Sequence, residues 1–235
     1  MNGAACCGPD LVGVFRDPCR AGRWLLRLGL VLVVAGYFGP WVPHKTAALT
    51  VTGFELAEFA KFFPQVQGGT VPLTRALFYL PLVTALILSA FLVGRSTVRL
   101  ARLVGPPFLA ILLVGALLPY SVVDAVRQAL IVHSPLVLDP QYTKQTVLVI
   151  VGVGLALLSP LARRLPRRAS GILVALLALA GAVPPLWQFA LLRPLVVALY
   201  NEPLGLGWGL IACTAGFVLL LLSGIRAAAM PSRSA

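Results

Sequence analysis

Long uninterrupted apolar runs decide what this chain can fold into. LVLVVAG at 30–36, VTALILSAFLV at 83–93 and ILVALLALAGA at 172–182 hold no charge and no alternation of period two. A helical crossing of a bilayer needs roughly 20 mostly apolar residues. Six stretches meet or approach that length: 24–41, 72–93, 103–120, 145–161, 171–192 and 204–225. A membrane β-barrel would alternate apolar and polar residues along each strand. In a continuous apolar run only a helix satisfies its own backbone hydrogen bonds. The expected fold is all-α: a six-transmembrane-helix bundle forming one membrane domain over 1–235, with amphipathic helices on the outer side. Residues 1–23 and 226–235 are tails, and 42–71, 121–144 and 193–203 are outer loops.

Composition excludes a water-soluble enzyme. The chain is 59% hydrophobic and 11% charged, with a mean hydropathy of +0.94, where a soluble domain is about a quarter charged. The net charge of +12 would point to nucleic acid on a soluble protein, but here it sorts by side. One side of the six-helix arrangement holds thirteen arginines and two aspartates, net +11; the other holds six bases and five acids, net +1. Lys and Arg concentrate in cytoplasmic segments, so both tails are expected in the cytoplasm, with the bilayer rather than nucleic acid as the partner of the charge. The Arg-rich, Lys-poor composition suits a bacterial cytoplasmic membrane. The first apolar run begins after more than twenty residues and no small-x-small site follows it, so it reads as a retained helix rather than a cleaved signal. Cys6, Cys7 and Cys19 fall on the cytoplasmic side and Cys213 within the sixth span, so no outer disulfide is expected.

The outer connections carry the local structure. Each follows proline next to an aromatic: Pro40-Trp41, Pro119-Tyr120 and Pro184-Pro185-Leu186-Trp187. Thr52-Gly53-Phe54-Glu55 has the spacing of a capping box, with Val51 and Leu56 placed as a hydrophobic staple. Leu56, Phe59, Ala60 and Phe63 then share one helical face, and Glu55, Glu58 and Lys61 another. Ser121 and Asp124 repeat the start signal, with Asp124 spaced to pair with Arg127. Pro81 predicts a kink in the second span and Pro194 a break after the fifth.

Chemistry is sparse. No Asp, Glu, Lys or His lies near a span centre, and no G-x-S-x-G or H-E-x-x-H is present, so no catalytic residue, cofactor or metal site is expected. The candidate outer surface for a ligand or partner comprises Trp41, His44, Glu55, Glu58, Lys61, Arg75, Arg127, His133, Trp187 and Arg193. Gly205, Gly209, Ala212 and Gly216 repeat small residues on one face of the sixth span, a pattern that lets helix backbones approach closely. Gly152 with Ala156, and Gly171 with Ala175, do the same. The expected function is a non-enzymatic subunit of a larger membrane assembly, with another membrane protein or a second copy as partner. The alternative is a binding or transport module for a neutral or apolar molecule entering from the outer face, and the third reading is a lipid-acting membrane enzyme.

Overall fold

A computed structural model describes residues 18–43, 50–131, 133, 135, 139–200 and 205–229. His44, Cys6 and Cys7 lie outside the described residues, as does the side chain of Cys19. The chain is mostly helical, and five of its helices are long and apolar enough to cross a membrane: Arg75–Gly94, Arg99–Leu117, Pro140–Arg164, Arg167–Leu199 and Trp208–Ala229. The apolar part of α1 (Pro18–Phe38) is the shorter stretch Trp24–Phe38. It stops short of Trp41 because Gly39-Pro40 turns the chain into β1 (Pro40–Val42), which pairs antiparallel with β2 (Val51–Thr52). Proline has no N–H to continue a helix but fits an edge strand.

Two single-turn helices follow, α2 (Leu56–Phe59) and α3 (Pro64–Gln67), joined by a 3-10 turn at Ala60–Phe62. Pro64 opens the second instead of ending the first: Phe63 before it is extended (φ −84°, ψ 120°), as the residue preceding proline prefers. A 3-10 segment, Arg75–Tyr79, runs into α4 (Leu80–Gly94). Pro81 falls in the first turn of α4, where its missing N–H has no intrahelical partner to lose. It therefore marks the change from 3-10 to α rather than a mid-helix kink. Next come α5 (Arg99–Leu117), α6 (Tyr120–Ile131) and α7 (Pro140–Leu158), the last extended by a 3-10 stretch, Ser159–Arg164.

The largest departure from the sequence expectation is α8 (Arg167–Tyr200), 34 residues that pass through Pro184, Pro185 and Pro194. The expected loop at 193–203 is helical as far as Tyr200. Packing outweighs the backbone penalty: Phe189, Leu192 and Val196, spaced three and four apart, are all buried. Prolines are tolerated in such helices where neighbours compensate the freed carbonyls. Helix α9 (Trp208–Ala229) closes the bundle. The three expected elbows are thus a hairpin with short helices, a single helix and a continuing helix, and they do not repeat one another.

α4 is the central helix, with 67% of its apolar window buried, against 22% for α5. Close approach depends on glycine. α1 and α9 run antiparallel: a Cβ on Gly36 would come within 2.6 Å of the Gly209 carbonyl oxygen, and one on Gly216 within 2.7 Å of the Gly29 carbonyl oxygen. Gly171 meets Gly224 in the same way across α8 and α9, at 2.6 Å. Of the expected stripe, Gly209 and Gly216 lie in this seam, Ala212 is half-buried and Gly205 is exposed ahead of the helix. The working spacing is seven residues, not four. Ala156 packs with Ala90 and Ala110 where α7, α4 and α5 meet.

Candidate functional site

Six helices run between two ends of different character. At one end sit the hairpin, α2, α3 and α6; at the other lie the α4–α5 and α7–α8 turns.

The first end is a braced polar cap. Thr52 and Glu55 form the reciprocal pair that their spacing predicts: the Thr52 N–H and hydroxyl both donate to Glu55 Oε2, at 2.9 and 3.0 Å, and the Glu55 N–H donates to Thr52 Oγ1 at 3.3 Å. Val51 and Leu56 are buried beside it. Leu56, Ala57, Ala60 and Phe63 face the core, and Phe59 is only half-buried. Farther along, Glu58 is engaged by both oxygens: Tyr79 donates its hydroxyl to Oε1 at 3.1 Å and Lys61 pairs with Oε2. Lys61 also donates to the Tyr142 hydroxyl at 3.4 Å and lies 5.2 Å from the centre of that ring. Two more bonds tie the segment to the helices and a third joins α7 to α5 beside it. Arg75 donates to the Gln141 carbonyl at 3.3 Å, the Thr74 N–H to the buried Gln188 Oε1 at 3.0 Å, and Gln145 to the Leu117 carbonyl at 2.6 Å. Under these bonds is a cavity of about 230 Å³ walled by Arg75, Lys144, Tyr79 and Gln141 among others, with no carboxylate among the described residues of its lining.

This arrangement separates the sequence-named residues. Glu55, Glu58, Lys61 and Arg75 belong to the cap. Trp41, 1% exposed, is a core plug rather than a lip: its indole donates to the Gly36 carbonyl at 3.0 Å and its ring meets Phe189 edge-on at 5.7 Å. On its other side Trp41 packs against Gly53, where a Cβ would come within 2.7 Å of the indole. Arg127 is exposed on α6, and Asp124 takes the Gln128 amide at 2.7 Å, not Arg127, as its hydrogen-bond donor. His133, exposed, follows α6 with φ 55°, a left-handed helix exit. Trp187 is 65% exposed on the outward face of α8, and Arg193 is also exposed. Among the described residues no three His, Cys, Asp or Glu side chains gather closely enough to hold a metal ion. Sequence reading missed Tyr79, Tyr142 and Gln188; the signal for Gln188 was an amide inside an otherwise apolar run.

The opposite end holds a cavity of about 600 Å³ between α1, the end of α4, and the facing ends of α8 and α9. Arg27, Arg95, Arg167 and Arg226 line it, with the hydroxyls of Ser96, Thr97, Ser170 and Ser223, over an apolar floor that includes Leu26, Phe91 and Val174. Arg95 is held in place: it donates to the Ala162 carbonyl at 3.1 Å and Ser170 Oγ at 2.9 Å, with its guanidinium 5.4 Å from the centre of the Phe91 ring. Ser170 donates its own hydroxyl hydrogen bond to the Pro166 carbonyl at 3.0 Å. Every described carboxylate, on Glu55, Glu58, Asp124 and Asp139, belongs to the capped half of the chain.

No protein-family model, no curated protein and no solved structure matches this sequence.

Proposed function

We propose that the chain is a six-span integral membrane protein of a bacterial cytoplasmic membrane, with the arginine end cytoplasmic, working as a non-enzymatic subunit of a larger membrane assembly. Two features support six spans. α1 follows α9 along its length through the Gly29–Gly216 and Gly36–Gly209 contacts. Its 21 residues span about 31 Å at 1.5 Å each, close to the roughly 30 Å of a hydrocarbon core. The orientation rests on the charge asymmetry. In this frame α6 lies in the outer interface, polar on the Asp124, Arg127 and Gln128 side and apolar at Val122, Val126 and Ala129.

The observation that carries the subunit reading is the outward face of α5, the least buried of the five long spans. Val104, Phe108 and Ile111 are exposed there, and Gly115 on the same face has nothing within 4 Å of where a Cβ would stand. An open glycine in an apolar stripe admits another helix closely; lipid has no use for the notch. The carboxylates fit a non-catalytic role as well, since Glu55 and Glu58 are spent on the cap. In mild detergent the protein is expected to purify with a second polypeptide or a second copy, and Gly115→Trp is expected to release it while the melting temperature holds. Purification as a lone chain, or a partner retained in G115W, would remove this reading. For topology, single cysteines in a cysteine-free background at Gln65 and Arg163 should be labelled from outside and inside respectively; the reverse pattern overturns the orientation.

The second reading, a binding or transport module, is favoured by the 230 Å³ cap cavity. Arg75 and Lys144 on its wall suit a small polar or anionic solute rather than a neutral or apolar one. Arg75→Ala abolishing binding of that solute, with the cap still protected from protease, is the outcome this reading requires.

A further inference from the structure

We propose that the outward face of α8 receives a membrane-spanning helix of a different polypeptide, one that offers a side-chain hydrogen-bond donor to the Ala180 carbonyl. The inference rests on the subunit reading and adds to it a second face with a stated chemistry. Its starting point is the pair Pro184-Pro185 inside α8. A helical carbonyl accepts from the N–H four residues on, and proline has no N–H. Pro184 therefore leaves the Ala180 carbonyl without its helical donor. Pro185 removes the next donor along, the one a local widening of the helix could supply. It also frees the Gly181 carbonyl. In hydrocarbon there is no water to replace a missing donor, so a neighbouring group has to.

Depth and side single out Ala180. Among the described residues five prolines lie inside long helices: Pro106, Pro107, Pro184, Pro185 and Pro194. Pro106 and Pro107 free the carbonyls of Arg102 and Leu103, about one turn from the start of α5, where headgroups and water reach. Pro194 frees that of Ala190, beyond Trp187. From Arg167 to Trp187 the helix rises about 30 Å at 1.5 Å per residue, the thickness of a hydrocarbon core, and Ala180 stands about 20 Å along it. Gly181 is buried and a Cβ there would strike Thr84 and Phe217, so its carbonyl belongs to the packed side. Ala180 is exposed, with Pro184 half-buried beside it. Ile172, Leu176, Leu179, Val183 and Trp187 are exposed around it at spacings of four, three, four and four. A stripe running the height of the span is a ridge along which a second helix packs. A second copy of this chain does not supply the donor. Among the described residues the hydroxyls at comparable depth, on Thr84, Ser89 and Thr214, donate to the Leu80, Ala85 and Leu210 carbonyls of their own helices. The partner is thus another chain with a Ser, Thr, Asn or Gln near the middle of a span, the side chains that bond across helices in bilayers.

The test places a photo-reactive benzoylphenylalanine at position 183 of the full chain, in its native membrane and at its native level, and in a separate variant at position 108 on α5. Illumination from 183 is expected to give an adduct that mass spectrometry maps within one turn of a Ser, Thr, Asn or Gln in a span of another polypeptide. Pro184→Ala returns an N–H to the Ala180 carbonyl and should lower the adduct yield about three- to tenfold, the loss of one hydrogen bond between spans. Pro185→Ala makes the same exchange one residue on, serves the inward Gly181 carbonyl, and should lower it less than twofold. Both variants keep the fold, since alanine is the better helix former. Equal losses in the two would mean that helix geometry sets the contact and would overturn the donor. Adducts on acyl chains, on a hydroxyl-bearing lipid, on a second copy or on a span without those side chains would overturn the partner. Adducts to another polypeptide from 108 but not from 183 keep the subunit reading and remove this one; adducts from neither remove both.

Discussion

The two ends of the bundle handle charge in opposite ways. In the cap the carboxylates of Glu55 and Glu58 are both engaged within the chain: Glu58 between Tyr79 and Lys61, Glu55 on Thr52, with Lys61 also against the Tyr142 ring. At the arginine end the partners seen for Arg95 are a carbonyl and a hydroxyl, neutral groups that orient a cation without neutralising it. Surface ion pairs are worth little each, so the cap's polar bonds serve chiefly to fix where a 40-residue excursion sits. The two ends are thus held by different chemistry: carboxylate and aromatic contacts in the cap, neutral acceptors around Arg95.

That comparison can be broken or sharpened by substitution. The largest effect is expected where both ends depend on one seam. Gly36→Leu places side-chain atoms against the Gly209 backbone and Cys213, and should destabilise the bundle by about 3 kcal/mol or more. Protease protection of the cap and of the α7–α8 turn should fall together in a detergent melt; loss at one end alone would mean the ends do not share a shaft. Gln188→Leu should cost about 2 kcal/mol, because the Thr74 N–H loses its acceptor in a buried place. Protease should then enter 60–75 while the α7–α8 turn at the far end keeps its protection. Thr52→Ala is the smallest, about 1 kcal/mol of local stability, read as faster amide exchange over 53–59. Unchanged exchange there would show that the capping pair contributes nothing in solution.

What was legible in the sequence was what is local. Thr52 and Glu55 stand three residues apart, so their mutual bonds follow from one turn of backbone. The apolar runs follow from the cost of an unsatisfied backbone in lipid. Prolines misled twice because their effect depends on position and neighbours. Pro81 sits in a first turn, where it costs nothing, and the helix around Pro184, Pro185 and Pro194 is held by Phe189, Leu192 and Val196. The arginine cavity could not be read at all. Arg27, Arg95, Arg167 and Arg226 are each an ordinary basic residue at a helix end, and only the packing of α1, α4, α8 and α9 brings them to one space. Trp41 failed for the converse reason: an aromatic after Pro40 fits the headgroup layer equally well on paper, but Gly36 and Phe189 offer it a carbonyl acceptor and a ring inside.

The α1–α9 seam has a consequence for how the molecule is made. Gly29 and Gly216 are separated by nearly two hundred residues, and the Gly207 N–H donates to the Trp41 carbonyl at 3.0 Å across the same gap. On the proposed six-span topology, α1 waits in the membrane while the intervening helices leave the ribosome, with a backbone groove that α9 does not yet cover. A chain stalled before residue 208 presents that groove to whatever other helix is nearby. Assembly of this bundle is therefore finished from its two distant parts inward, and the waiting interval is when surveillance proteases or a membrane chaperone have their opportunity.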